Sequence, residues 1–158
     1  MESRFVSDSV VTMTELVHPT HTNALNSVFG GVIMSWMDIC AAIAAQRHSR
    51  RPVVTASIDA LSFVAPVYIG WIVNLKASIN YVSKTSMEVG VRADAENPIE
   101  GKTFHVASAY LTFVALDENG KPSVVPKIIP KNEDEKRRYA AAERRREFRL
   151  KLRQAEKS

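Results

Sequence analysis

The chain has 158 residues, 46% of them hydrophobic and 24% charged, with Cys40 its one cysteine. A chain of this size buries roughly two-thirds of the surface its unfolded state exposes, so neither a metal nor a disulfide is needed for folding, and a lone cysteine excludes an internal disulfide. The net charge of +4 suggests a nucleic-acid partner until it is split by position: residues 1–131 carry 11 basic and 11 acidic side chains, and residues 132–158 carry 10 and 6, so the excess belongs to a tail.

Phe5–Val17 reads as a weak first strand. Gly30-Gly31 then opens a segment, Val32 to Gln46, that is apolar almost all round and has no internal Gly or Pro. Arg47 and His48 stand at its end, where cations suit the helix dipole. A helix apolar on every side is surrounded by protein, so this one is expected to be central and fully buried. Four strands follow. In Trp71–Val82 the odd positions Trp71, Val73, Leu75, Ala77, Ile79 and Tyr81 are apolar, against Asn74, Lys76, Ser78 and Asn80. Met87–Ala95 repeats the alternation, with Glu88, Arg92 and Asp94 on the polar side. Period two over such lengths predicts half-buried antiparallel strands. Val53–Phe63 and Thr103–Leu116 are more evenly apolar, as expected of strands nearer the sheet centre. Pro66 and Gly70, then Ser83–Ser86, Asn97–Gly101 and Asp117–Gly120, supply the turns.

The tail, Asn132 to Ser158, has no Gly or Pro. Asn132 can cap a helix there, with Glu133, Asp134 and Glu135 in the first turn. Two readings of it stand: a solvated helix that docks loosely, or a basic surface for phosphates. The expected class is α+β: one antiparallel sheet wrapped around one long central helix, plus a charged C-terminal helix. Residues 1–130 form the domain and 131–158 the tail. No apolar run reaches the roughly 18 residues of a membrane helix, and Met1–Phe5 does not read as the start of a secretory signal. A cytoplasmic protein is expected, one that binds neither membrane nor nucleic acid.

Asp38 does not fit its surroundings. It lies mid-helix between Met37 and Ile39, and its helical neighbours Met34, Ser35, Ala41 and Ala42 offer no cation. A buried carboxylate without partners costs several kcal/mol, so it meets a polar cleft or a charge from elsewhere in the chain, or else is satisfied by backbone or serine hydroxyls. In a desolvated cleft a carboxylate becomes a general base or a nucleophile. Upstream, Gly30 and Gly31 let a ligand approach the backbone, and the free amides of a helix start face developing negative charge, as an oxyanion hole requires. His18 and His21 are separated by Pro19 and lack further ligands, so no metal site is expected. No basic neighbour activates Cys40 as a nucleophile.

Asn23, the run Phe29-Gly30-Gly31-Val32 and the pair Met37-Asp38 resemble the start of the hotdog-fold acyl-CoA thioesterases. The resemblance continues through Val53–Asp59, Phe63, Pro66-Val67 and Ser83–Ser86 to Asp117–Pro122. It implies hydrolysis of acyl-CoA to free acid and CoA, with no cofactor besides CoA as part of the substrate. Asp38 would activate water or attack directly, Asn23 from a second subunit would orient the water or carbonyl, and Gly31 would polarise the carbonyl. Gly30 would sit beside it, Val54, Thr55 and Ala56 would line the pantetheine channel through backbone bonds, and Phe63 would bound the acyl tunnel. Ser83, Lys84, Thr85 and Ser86 would meet the nucleotide, with Lys131, Arg137 and Arg138 adding charge to the same mouth. A homodimer is the implied minimum, commonly built into a hexameric trimer of dimers. Asn26 stands where relatives often carry Gly, and Phe29 where some carry His. Competing readings are a non-catalytic acyl-CoA-binding protein, which has no use for Asp38, and a hotdog dehydratase, which wants a histidine on this helix.

Overall fold

In the computed structural model, which describes residues 1–157, the long apolar segment forms α1, Gly30–Ser49. It is preceded by β1 (Arg4–Phe5), a short 3-10 turn and β2 (Val11–Leu16). It is followed by β3 (Val53–Phe63), β4 (Ile72–Val82), β5 (Ser86–Asn97) and β6 (Lys102–Ala115), then by β7 (Ile128–Ile129) and α2 (Glu133–Lys157). The five longer strands make one antiparallel sheet in the order β2-β4-β5-β6-β3. The single weak strand expected over residues 5–17 is in fact two. β1 leaves the main sheet to pair in parallel with β7, two residues too short to be read from sequence.

The sheet wraps α1. Ile33, Trp36, Met37, Cys40, Ala41, Ala44 and Ala45 of the helix are buried against Val73, Leu75, Ala77, Ile79, Val89, Val91, Leu111 and Phe113 of the strands. Ala41, Ala44 and Ala45, all fully buried, are the small residues on the face of the helix turned to the sheet. Alternation holds along β4 as far as Ile79. There a bulge at Asn80 shifts the register, so that Tyr81 pairs with Glu88 and Val82 with Met87. Tyr81, grouped by its odd position with the inner face, is therefore carried to the outer face, where it packs edge-on against Tyr139 of α2.

Three expectations are corrected. α1 is not buried all round: Gly31, Met34, Ser35 and Ile39 are exposed along one side. β3 is not central but lies at the sheet edge, and Val54, Ile58 and Phe63 on it are exposed. Both segments are apolar where this chain alone leaves them open. Nor does α2 dock loosely. Its Arg145 grips Glu88 of β5 with two hydrogen bonds of 2.9 and 2.8 Å, and Arg149 reaches both Glu88 and Asp59 of β3. Glu88 is only 2% exposed, and Asn80 completes its shell at 3.2 Å. The bond to Glu88 pushes the Arg145 guanidinium further above its ordinary range, against burial. No helix is long and apolar enough to cross a membrane among the described residues.

Candidate active site

Asp38 sits on the open side of α1. Its carboxylate is half-buried and accepts a hydrogen bond of 2.7 Å from Thr55 Oγ1 on β3. Of the partners expected for it, a cleft, a charge, or backbone or serine hydroxyls, the chain itself supplies a hydroxyl, from a threonine that was expected only to line the channel. Nothing in local spacing links the two side chains: they meet because β3 turns back along the helix. The second carboxylate oxygen has no partner among the described residues.

Gly31 lies seven residues before Asp38, two helical turns away on the same side, about 10 Å along the axis. The two glycines differ. A methyl group on Gly30 would meet the Phe63 ring at 3.1 Å, whereas one on Gly31 would meet nothing within 4 Å. Gly30 is thus a packing position and Gly31 an open one. Phe29, the N-cap residue, provides no side-chain acceptor, so the first amides of α1 are left for an incoming oxygen. Beside them a cavity of about 390 Å³ is lined by Ser27, Val28, Gly30, Ile33, Phe63 and Val67 among others.

Asn23 anchors the loop before the helix. Its Oδ1 accepts from Leu25 N, Ser27 N and Ser27 Oγ, which leaves the Nδ2 amine free to donate. Asn26 takes φ 62°, a conformation that Asn tolerates well among non-glycine residues. On β3 the register passes from Thr55↔Phe113 to Ser57↔Thr112. Ala56 is the bulged residue and has no register partner on β6.

The other expected ligand residues do not form one group. Ser83–Ser86 is a tight turn in which the two serine hydroxyls bond each other, and its backbone is tied to Ala115 and Val125. Lys131 lies over the Phe5 ring at 3.8 Å. Arg137 and Arg138 line a separate cavity under α2, on the outer face of the sheet. His21 is used structurally: Nδ1 accepts the His18 amide, and the ring packs edge-on against Trp36. Burial pushes the Cys40 thiol up to about 11, which leaves it unreactive at neutral pH. No group of three or more His, Cys, Asp or Glu side chains able to hold a metal occurs among the described residues.

A family model described as "Thioesterase superfamily" matches residues 25–102. The Bacillus subtilis protein named uncharacterized acyl-CoA thioester hydrolase YkhA is 43% identical over 134 residues, 85% of this chain and 78% of that one. Among solved structures, an apo-hexameric acyl-CoA thioesterase superposes with a TM-score of 0.92 at 39% identity, covering 96% of this chain and 97% of that one. An acyl-CoA hydrolase from Staphylococcus aureus, solved with butyryl coenzyme A, coenzyme A and coenzyme A disulfide, gives 0.85 at 37% identity over 97% and 96% of the two chains. Structures of acyl-CoA hydrolase from that organism also carry alanine in place of an asparagine, an aspartate or a threonine. Those three positions have the same spacing along that chain as Asn23, Asp38 and Thr55 have along this one.

Proposed function

We propose, from the premise that this chain belongs to the thioesterase superfamily, that it is an acyl-CoA thioesterase whose Asp38 drives hydrolysis of the thioester to free acid and CoA. The observation that carries the reading is the Asp38 carboxylate on the open side of α1, fixed through one oxygen by Thr55 at 2.7 Å and free at the other.

Each group then has a task that its geometry allows. With Asp38 as base, its free oxygen takes a proton from water as that water attacks the thioester carbonyl carbon. The carbonyl oxygen becomes an oxyanion facing the Gly31 amide at the head of α1. Collapse breaks the carbon–sulfur bond, and the proton on Asp38 passes to the departing CoA sulfur. Direct attack by Asp38 gives an acyl anhydride that water then opens to the same products. Asn23, its oxygen committed to its own loop, donates through Nδ2 to the water or the carbonyl. The bulge at Ala56 and the free edge of β3 suit the amides of the pantetheine arm.

The site faces outward, so a second copy of the chain completes it. Leu25 is 79% exposed, Ile39 50% and Phe63 46%. These and Val54 extend one apolar surface from the open side of α1 to the sheet edge, the kind of patch that marks an interface. Asn23 of one protomer serving Asp38 of the other is the arrangement we favour, with a dimer as the active unit and a hexamer as the larger assembly. We place the enzyme in the cytoplasm, in keeping with a buried free thiol.

The test is thiol release from a panel of acyl-CoA esters by the wild type and by Asp38→Asn. Removing a general base lowers turnover by about 10²–10⁴-fold, with CoA binding retained. Equal turnover in the variant would end the proposal.

A further inference from the structure

Between the two ends of β3 the pairing with β6 goes out of step. Val53↔Ala115, Val54↔Val114 and Thr55↔Phe113 share one register, and Ser57↔Thr112, Ile58↔Leu111 and Asp59↔Tyr110 share the next. The bulge at Ala56 that takes up the difference stands directly after Thr55, and it reverses the alternation. Counted by twos, Thr55 and Asp59 belong to one face. In the structure Thr55 bonds Asp38 on α1, whereas Asp59 bonds Arg149 on α2, across the sheet. A bulge bends its strand and re-aims the side chain beside it, so the direction of the Thr55 hydroxyl depends on the extra residue staying at Ala56.

Little within β3 keeps it there. β3 is an edge strand that pairs in the sheet with β6 alone among the described residues. The hydroxyls of Ser57 and Thr112, opposed in the second register, are buried and have no hydrogen-bond partner among the described residues, and Ile58 is exposed. If residues 57–59 fell back by one into the register of Thr55, the bulge would vanish and each of their side chains would change face. What opposes that slip comes from α2. Arg149 donates to Asp59 at 3.1 Å, their side chains 17% and 31% exposed. One turn earlier Arg145 lies over the ring of Tyr110 at 3.6 Å, and Tyr110 is the residue that Asp59 faces on β6. A single helix thus holds both members of one cross-strand pair, four residues beyond Thr55.

We infer that Arg149 and Asp59 are positioning residues for the hydrolytic site: their ion pair keeps the bulge at Ala56, and so keeps the Thr55 hydroxyl on Asp38. Both stand across the sheet from Asp38 and act on it through Thr55. A hydrogen bond weakens steeply as it bends, so a change in the twist of β3 is enough to uncouple Thr55 from the carboxylate. The helix has its own anchor, since Arg145 holds Glu88 at 2.9 and 2.8 Å. Losing Asp59 therefore frees β3 without freeing α2. The inference rests on Asp38 as the reacting carboxylate.

A double-mutant cycle in the thiol-release assay, on the full-length chain, tests this. Asp59→Ala is expected to lower kcat about tenfold while KM for acyl-CoA stays within about twofold. In a Thr55→Ala background the same substitution should cost no more than about twofold, because residues that act through one contact are not additive. Asp59→Asn, which keeps an acceptor oxygen for Arg149, should restore most of the rate. Arg149→Met breaks the pair from the helix side and carries the same cycle if a melting curve shows that Asp59→Ala does not fold. Hydrogen exchange read by mass spectrometry supplies the structural arm: in Asp59→Ala, uptake rises over residues 53–63 and is unchanged in α2. Full kcat in both Asp59→Ala and Arg149→Met overturns the inference. So does a loss that multiplies with that of Thr55→Ala, a rise in KM alone, or unchanged exchange in β3. Each of those results leaves the proposed hydrolysis standing, since that reading fails only if Asp38→Asn keeps its turnover.

Discussion

Thr55 gives Asp38 its direction. A hydrogen bond to a charged acceptor contributes about 1.5–3 kcal/mol, so Thr55→Ala is expected to lower kcat roughly 10–100-fold, with Thr55→Ser restoring most of it in the same thiol-release assay. Asn23→Asp is the sharper companion: the carboxylate still accepts the three loop donors, but the Nδ2 donor is gone. The loop should stay folded while turnover falls, and a melting curve beside the assay separates the two effects. Asp38 and the glycines were readable from sequence because each breaks a local pattern, an acid in an apolar helix and flexible residues at a helix start. Thr55 breaks no pattern, since a threonine suits a strand, and its role exists only once helix and strand meet.

His48 is a second residue with a consequence. It is fully buried at the end of α1, with Nε2 bonded to the Pro126 carbonyl at 2.7 Å and Nδ1 without a partner. Burial lowers its pKa from the ordinary 6.5, with Arg4 adding to the effect; the Pro126 bond and Asp8 work the other way. A folded-state value below the unfolded one means that the unfolded chain binds the proton first. Its stabilising contribution is therefore complete above about pH 6.5 and lost as pH falls below that. Melting temperatures from pH 8 to 5 should drop on the acid side, and the drop should be shallower in His48→Gln.

Among the elements, α2 departs furthest from its composition. Its sequence is that of a solvated helix, yet Arg145 and Arg149, one turn apart, close over Glu88. Removing one member of a buried ion pair leaves the other charge uncompensated, at a cost of about 3–5 kcal/mol. In Arg145→Met, Arg149 at 3.4 Å and Asn80 at 3.2 Å still meet Glu88, so the destabilisation expected in urea titrations is smaller than that figure, and adding Glu88→Gln should recover part of it. Glu88 alternates with Met87 and Val89, so period two assigned it to the polar face. That assignment was right about the face. What covers the face is a helix from 57 residues further along, and no local pattern carries that. β3 was misplaced for a related reason: an evenly apolar strand reads the same whether its cover comes from the chain's own sheet or from another molecule.

At the scale of the whole molecule, α1 divides two environments. One side is packed into the sheet, and the other presents Met34, Asp38 and Ile39 outward beside the exposed edge of β3. Ile39→Glu places a charge in that apolar surface. The expected result by light scattering is a shift from an oligomer toward the 17.6 kDa single chain, with activity lost in parallel. An oligomer of unchanged mass would place the interface elsewhere. The wrapped sheet was legible because a long apolar helix is followed by strands of alternating pattern, and of α1 and α2 only α1 is apolar enough for the sheet to enclose.

The outward position of Asp38 has a kinetic consequence. If turnover belongs to the pair and not to the single chain, rate per molecule depends on concentration: dilute enough, the protomers separate and hydrolysis stops with every protomer still folded. Reassociation on concentrating them would restore it with second-order kinetics, a dependence that no site enclosed within one chain can display.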